Sequence, residues 1–162
     1  MIQLINNFFD ENMLEKIQHH VKTQLMFTPQ YYKDMKETYF GNRYDFKHDE
    51  SLHNIFVKYG EEKFKLKIKN STGGVDMKNI DRWLPHVDES KLNILVMIDG
   101  PVGINTGTVF YTDNDIDIKV GFRPNRAVLF PSSYKHCAHK SDNKNMRRYT
   151  ATLFIHDYEE LV

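Results

Sequence analysis

The stretch Leu92–Pro101, LNILVMIDGP, holds six apolar residues in seven and then breaks at Asp99-Gly100-Pro101. Its length, its nearly continuous apolar character and its end in a turn signal make it a strand candidate. With helical patterns before it and further strands behind it, the helices are expected to pack on one face of a β unit.

Downstream, the strands are easy to find. Thr108–Tyr111, Ile116–Val120, Arg126–Phe130 and Arg148–Ile155 are short β candidates, each bounded by Gly, Pro, Asn or Asp. Strands recurring every ~8–12 residues indicate a sandwich or barrel. The acidic run Asp113, Asn114, Asp115, Asp117 lacks the Gly and terminal Glu of a Ca²⁺ loop and reads as a polar hairpin. Upstream, Gly73-Gly74 marks the point where the character turns to β. Before it, Phe64, Leu66 and Ile68 alternate with Lys65, Lys67 and Lys69, a half-exposed strand with a solvated lysine face. Asp10 is placed to cap a helix running to about Leu25, with Met13, Leu14, Ile17, Val21 and Leu25 on one face and Pro29 closing it. Thr38–Phe46 has the aromatic content of a strand, and Ser51–Tyr59 reads as a second helix. The expected fold is mainly β with N-terminal helices, a jelly roll with helical support over about 1–60 and a β core over about 64–156. Residues 1–162 form a single domain in this reading.

Composition narrows the function. The 162 residues include 22 Lys+Arg and 22 Asp+Glu, so no net basic field exists to gather nucleic acid. No apolar run reaches the ~18 residues of a membrane span. Cys137 is the only cysteine, which excludes an internal disulfide and points to a reducing compartment. The start, MIQLINNFFDENML, has neither the basic region nor the cleavage site of a secretory signal. The expected location is the cytoplasm.

Two constellations carry chemistry. In RWLPHVDES, His86 and Asp88 are two apart, so an extended chain directs both to one side. His136 follows fifty residues after His86, in LFPSSYKHCAH. Two imidazoles and a carboxylate can hold a non-heme Fe(II) and leave positions open for a cosubstrate and dioxygen. His139 competes with His136 for the third place. The second constellation is RRYT, Arg147–Thr150. Arg148 and Thr150 share a strand face, while Tyr149, Ala151, Leu153 and Ile155 take the other. A guanidinium fork beside a hydroxyl suits a carboxylate ligand.

Taken in order, His-x-Asp, about fifty residues, Phe-Pro-Ser-x-x-x-His and then Arg-x-Thr resembles the 2-oxoglutarate- and Fe(II)-dependent oxygenases. The segment RAVLFPSSYKH, 126–136, is most similar to the prolyl-4-hydroxylase branch. Asn105-Thr106-Gly107-Thr108 stands where that branch carries a Gly-Gly turn before a strand, and the Phe-Pro-Ser spacing favours His136 over His139. The resemblance covers roughly 80–156. It implies a double-stranded β-helix with His86, Asp88 and His136 as iron ligands. It further implies that Arg148, assisted by Thr150, binds the 5-carboxylate of 2-oxoglutarate. The activity implied is oxidation of a peptidyl or small-molecule substrate, with succinate and CO₂ as coproducts and ascorbate as a candidate auxiliary reductant. Asp88 argues for hydroxylation, since halogenating members carry a small residue there. One departure stands out: no tyrosine lies between Gly73 and Pro85 to touch the cosubstrate.

The bland alternatives have their own expectations. His19, His20, His48, His53 and His156 show no partner pattern and read as surface or structural. Cys137 is expected to face away from the metal as a small buried hydrophobe. Trp83 is expected in the core, with a pocket role as its alternative. For the whole chain, the rival is a non-catalytic jelly-roll binding module that retains or has lost the metal. A binding module has no need of three ligands and an arginine together.

Overall fold

A computed structural model describes residues 1–32, 35–79, 84–139 and 147–162. Trp83 lies outside them. Among the described residues, ten strands and two helices run in the order β1 (Gln3–Ile5), α1 (Glu11–Thr23), β2 (Thr28–Tyr32), β3 (Met35–Asp45), α2 (Glu50–Phe64), β4 (Leu66–Asn79), β5 (Leu92–Asp99), β6 (Gly103–Thr112), β7 (Asp115–Phe122), β8 (Ala127–Pro131), β9 (His136–Ala138) and β10 (Arg147–Glu160). They form a seven-stranded sheet, β1-β8-β5-β10-β4-β3-β2, and a three-stranded sheet, β7-β6-β9. All pairings are antiparallel.

The central strand β5 explains the layering. Ile94, Val96 and Ile98 join Phe9, Ile17, Val21, Phe56 and Leu153 in a core beneath the helices. The alternate residues Leu95 and Met97 join Phe110, Val120, Phe122, Val128 and Phe130 in a second core, which includes residues of the smaller sheet. One face is covered by helices and the other by the second sheet, so the sequence could be apolar at nearly every position. This is a mainly β, jelly-roll architecture with helical support.

Both helices begin where capping chemistry puts them. The carboxylate of Asp10 accepts from the Met13 amide at 2.8 Å, and that of Asp49 from Leu52 at 2.9 Å. The second helix runs on to Phe64, where Lys65 turns left-handed at φ 57°, so the lysine-alternating strand starts only at Leu66. Pro29 follows α1 but lies within β2, at the edge of the sheet, where a missing amide is tolerated. The glycine pair does not open the β region. Gly73 and Gly74 sit in the middle of the 14-residue β4, where a Cβ on Gly73 would stand 2.0 Å from the Thr152 carbonyl oxygen. Close backbone approach to β10, not a turn, requires glycine here.

Asp113 and Asn114, both at positive φ, make the tight β6–β7 hairpin. Asn105–Thr108 lies inside β6 at a register shift instead of forming a turn ahead of a strand. Among the described residues no helix is long and apolar enough to cross a membrane.

Candidate metal centre and anion pocket

His86 and His136 are joined through their backbones. The His86 amide donates to the His136 carbonyl at 3.0 Å and the His136 amide donates back at 2.9 Å, an isolated antiparallel bridge. Residues that exchange both hydrogen bonds face the same way, and the two rings lie 4.6 Å apart. Each ring is then oriented locally. His86 Nδ1 is 2.9 Å from the Leu84 carbonyl oxygen and His136 Nδ1 is 2.8 Å from that of Tyr134. A carbonyl accepts only, so both Nδ1 atoms carry a proton, and both Nε2 atoms are the ring positions turned toward Asp88. These Nε2 atoms stand 3.8 and 3.3 Å from the Asp88 carboxylate. One donor atom from each of the three residues lies within 4.8 Å of the others.

Asp88 is aimed from beneath. Its amide donates to the Ser132 carbonyl at 3.0 Å, and the side-chain amide of Asn93 donates to Oδ2 at 2.6 Å. Asn93 is fully buried, and its own carbonyl oxygen accepts from Ser90 at 2.7 Å and Ser132 at 2.9 Å. Burial alone would raise the Asp88 pKa. Its hydrogen bond and charge interaction with His136, then His86 and Asn93, hold it below the usual carboxylate value. Burial and the neighbouring His136 push His86 down, keeping its ring neutral. A neutral His86 ring and an ionised Asp88 are protonation states a metal requires.

Beyond this trio the cavity is lined by Arg148, Thr150, Thr152 and Phe154 of β10, by Arg43, Asp76 and Lys78 of β3 and β4, and by Thr108 and Cys137. The alternation expected along β10 holds. Arg148 and Thr150 are buried in the cavity wall, whereas Ala151, Leu153 and Ile155 pack into the helix-side core. Arg147 is exposed. Arg148 Nη1 donates to the carbonyls of Thr106, at 3.0 Å, and Gly107. Its Nε is buried and, among the described residues, has no partner; the same is true of Thr108 Oγ1. Burial pushes the Arg148 pKa down to about 10, against the opposing charge of Asp76.

The fold is similar to that of a prolyl hydroxylase from Trichoplax adhaerens in complex with a hypoxia-inducible-factor oxygen degradation domain peptide fragment. The TM-score is 0.66 at 14% identity, covering 96% of this chain and 83% of that one. A prolyl-4-hydroxylase from Pseudomonas putida gives 0.66 at 9% identity, covering 96% and 92%. The non-heme α-ketoglutarate-dependent epimerase SnoN from nogalamycin biosynthesis gives 0.66 at 10%, covering 98% and 77%. The chain has the fold of the 2-oxoglutarate- and Fe(II)-dependent oxygenases. No family model and no curated protein matches its sequence.

The groups that this oxygenase fold implies can be tested against the residues present. A His-Asp-His set with both Nε2 atoms and a carboxylate converging beside open space suits Fe(II). A buried arginine with an unpartnered Nε, next to an unpartnered threonine hydroxyl, suits a carboxylate. Both fit.

The sequence reading missed three features. Asn93 was hidden as one polar residue inside an apolar run, and that anomaly was the available signal. Lys78 and the Arg43–Asp76 pair had none. Cys137 was expected to point away but lines the cavity, with its Sγ 3.5 Å from the Tyr111 hydroxyl. His139 is not in the convergent trio. Of the other histidines, His53 stacks on Phe46 and His156 bonds Thr72, as structural residues do.

Proposed function

We propose that the chain, as one domain over residues 1–162, is an Fe(II)- and 2-oxoglutarate-dependent dioxygenase that hydroxylates a peptidyl or small-molecule substrate in the cytoplasm. The observation that carries this reading is the shared aim of His86 Nε2, His136 Nε2 and the Asp88 carboxylate, with both Nδ1 atoms tied to backbone carbonyls. In this reading those three residues hold the iron. Arg148, with Thr150 beside it, takes the distal carboxylate of 2-oxoglutarate. Bound there, iron supplies the activation of dioxygen that couples cosubstrate decarboxylation to succinate and CO₂ with oxidation of the substrate.

The chain's own share is orientation and exclusion of water. Asn93 fixes the carboxylate, the backbone bridge fixes the spacing of the two rings, and Phe110 and Phe130 pack beside His136. Similarity to prolyl hydroxylases makes a peptidyl side chain the first substrate class to try, and similarity to the epimerase supports trying small molecules. The test is slow, uncoupled succinate release by purified protein with Fe(II), ascorbate and 2-oxoglutarate. Release that disappears in His86→Ala is the result expected. No succinate from protein shown to hold iron would favour the non-catalytic binding module.

A further inference from the structure

Arg43 stands on β3 in a row with Asp76 of β4 and Thr150 of β10, and all three line the cavity of the His86–Asp88–His136 trio. Asp76 grips it from the side, through Nε at 2.9 Å and Nη2 at 3.0 Å. The guanidinium lies over the ring of Phe154, 5.4 Å from its centroid. Phe154 is directly opposite Asn93 of β5, and Asn93 donates to Asp88 at 2.6 Å. Burial works against the charge of Arg43, and Asp76, with smaller contributions from Asp45 and Asp88, holds its pKa up. The register and the reach of the Asp88 charge both put this guanidinium at the metal end of the cavity. Arg148 lies further back along β10.

A guanidinium has five N–H donors in a fixed plane. Asp76 takes two, one on Nε and one on Nη2. Arg43 makes no other hydrogen bond among the described residues, which leaves both hydrogens of Nη1 and the second of Nη2. Its side chain is 27% exposed, so these donors are not sealed off. The two-point grip of Asp76 and the Phe154 ring hold the plane in place before any ligand arrives. Asp76 also cancels the charge of the group it holds. What is left is donor capacity without net charge. That suits a neutral carbonyl oxygen better than a carboxylate, which would sit near both Asp76 and Asp88.

We propose that Arg43 is a substrate-recognition residue of this site, donating from its free fork to a carbonyl oxygen, and that it selects uncharged, amide-bearing substrates over carboxylic acids. This rests on the reading above, in which iron takes Asp88 and Arg148 takes 2-oxoglutarate.

The test uses the Fe(II)–2-oxoglutarate protein under anaerobic conditions and a panel of N-acetyl amino acids, each as the free acid and as the primary amide. Binding is read by ligand-observed NMR. Wild type should bind amides about tenfold or more tighter than the matching acids. Arg43→Met removes hydrogen bonds from a charged donor and should weaken the amides about 10–100-fold. Arg43→Lys keeps the charge without the fork and should fall between. Because Arg43→Met leaves the Asp76 carboxylate unpaired, Arg43→Met/Asp76→Asn is measured beside it. The double variant should melt cooperatively, keep its iron and still bind amides weakly. A purely structural Arg43 would change the melting temperature of Arg43→Met and leave the double variant binding amides as wild type does. That result, a preference for acids, or no binding by any member of the panel to protein holding iron and 2-oxoglutarate overturns the inference and leaves the proposed function standing. Protein that takes up neither iron nor 2-oxoglutarate overturns the proposed function itself.

Discussion

The side-chain amide of Asn93 donates to Asp88 Oδ2 over 2.6 Å from the interior of β5. A core strand thus reaches out of the hydrophobic layer to hold one oxygen of a carboxylate that is otherwise part of a loop. Both serines on the Asn93 carbonyl oxygen fix which way the amide points. Asn93→Ala should lower Fe(II) affinity about 10–100-fold, as losses of supporting hydrogen bonds around metal ligands do. Asn93→Asp, which sets a second carboxylate against the first, should be no better. Equilibrium competition with a chromogenic chelator measures this, and unchanged affinity in Asn93→Ala would remove Asn93 from the metal site.

His136 and His139 give a separate contrast. His136→Ala should weaken iron at least as much as Asn93→Ala, since it deletes a donor atom rather than its support. His139→Ala should bind iron as wild type does. Chelator competition on the two variants side by side decides it, and the reverse outcome would mean that the third donor has been misassigned.

Arg148 and Arg147 differ in the same way, one buried and one exposed. Removing one member of a buried charge pair costs roughly 3–5 kcal/mol. Arg148→Ala should therefore weaken 2-oxoglutarate by about 10²–10³-fold with iron affinity intact. Arg147→Ala should change neither. Calorimetry with the metal-loaded variants checks this. A large loss in Arg147→Ala would contradict the burial of Arg148 in the cavity wall.

Much of this was legible in the chain, for identifiable reasons. The run LNILVMI announced a strand, and the period of two in RRYTATLFI placed Arg148 and Thr150 opposite Ala151 and Leu153. His86 and Asp88 met because i and i+2 share a face in extended chain. Other features depend on partners distant in sequence. Gly73 looks like a boundary until the Thr152 carbonyl is seen to press on it. The three-residue β1 exists only because β8 offers it an edge. Lys78 looks like any surface lysine until β10 sets Arg148 across from it and Gly41 lets β3 pass over its stem.

The central claim is that one cavity holds iron and 2-oxoglutarate together, the acid chelating the metal while Arg148 grips its far end. Anaerobic titration of the Fe(II) protein with 2-oxoglutarate, followed by visible absorption, addresses this directly without any knowledge of the substrate. The account predicts a weak visible charge-transfer band that grows and saturates with 2-oxoglutarate, is absent in His136→Ala, and in Arg148→Ala needs far more 2-oxoglutarate to appear. Iron-loaded wild-type protein that develops no band at saturating 2-oxoglutarate would contradict it.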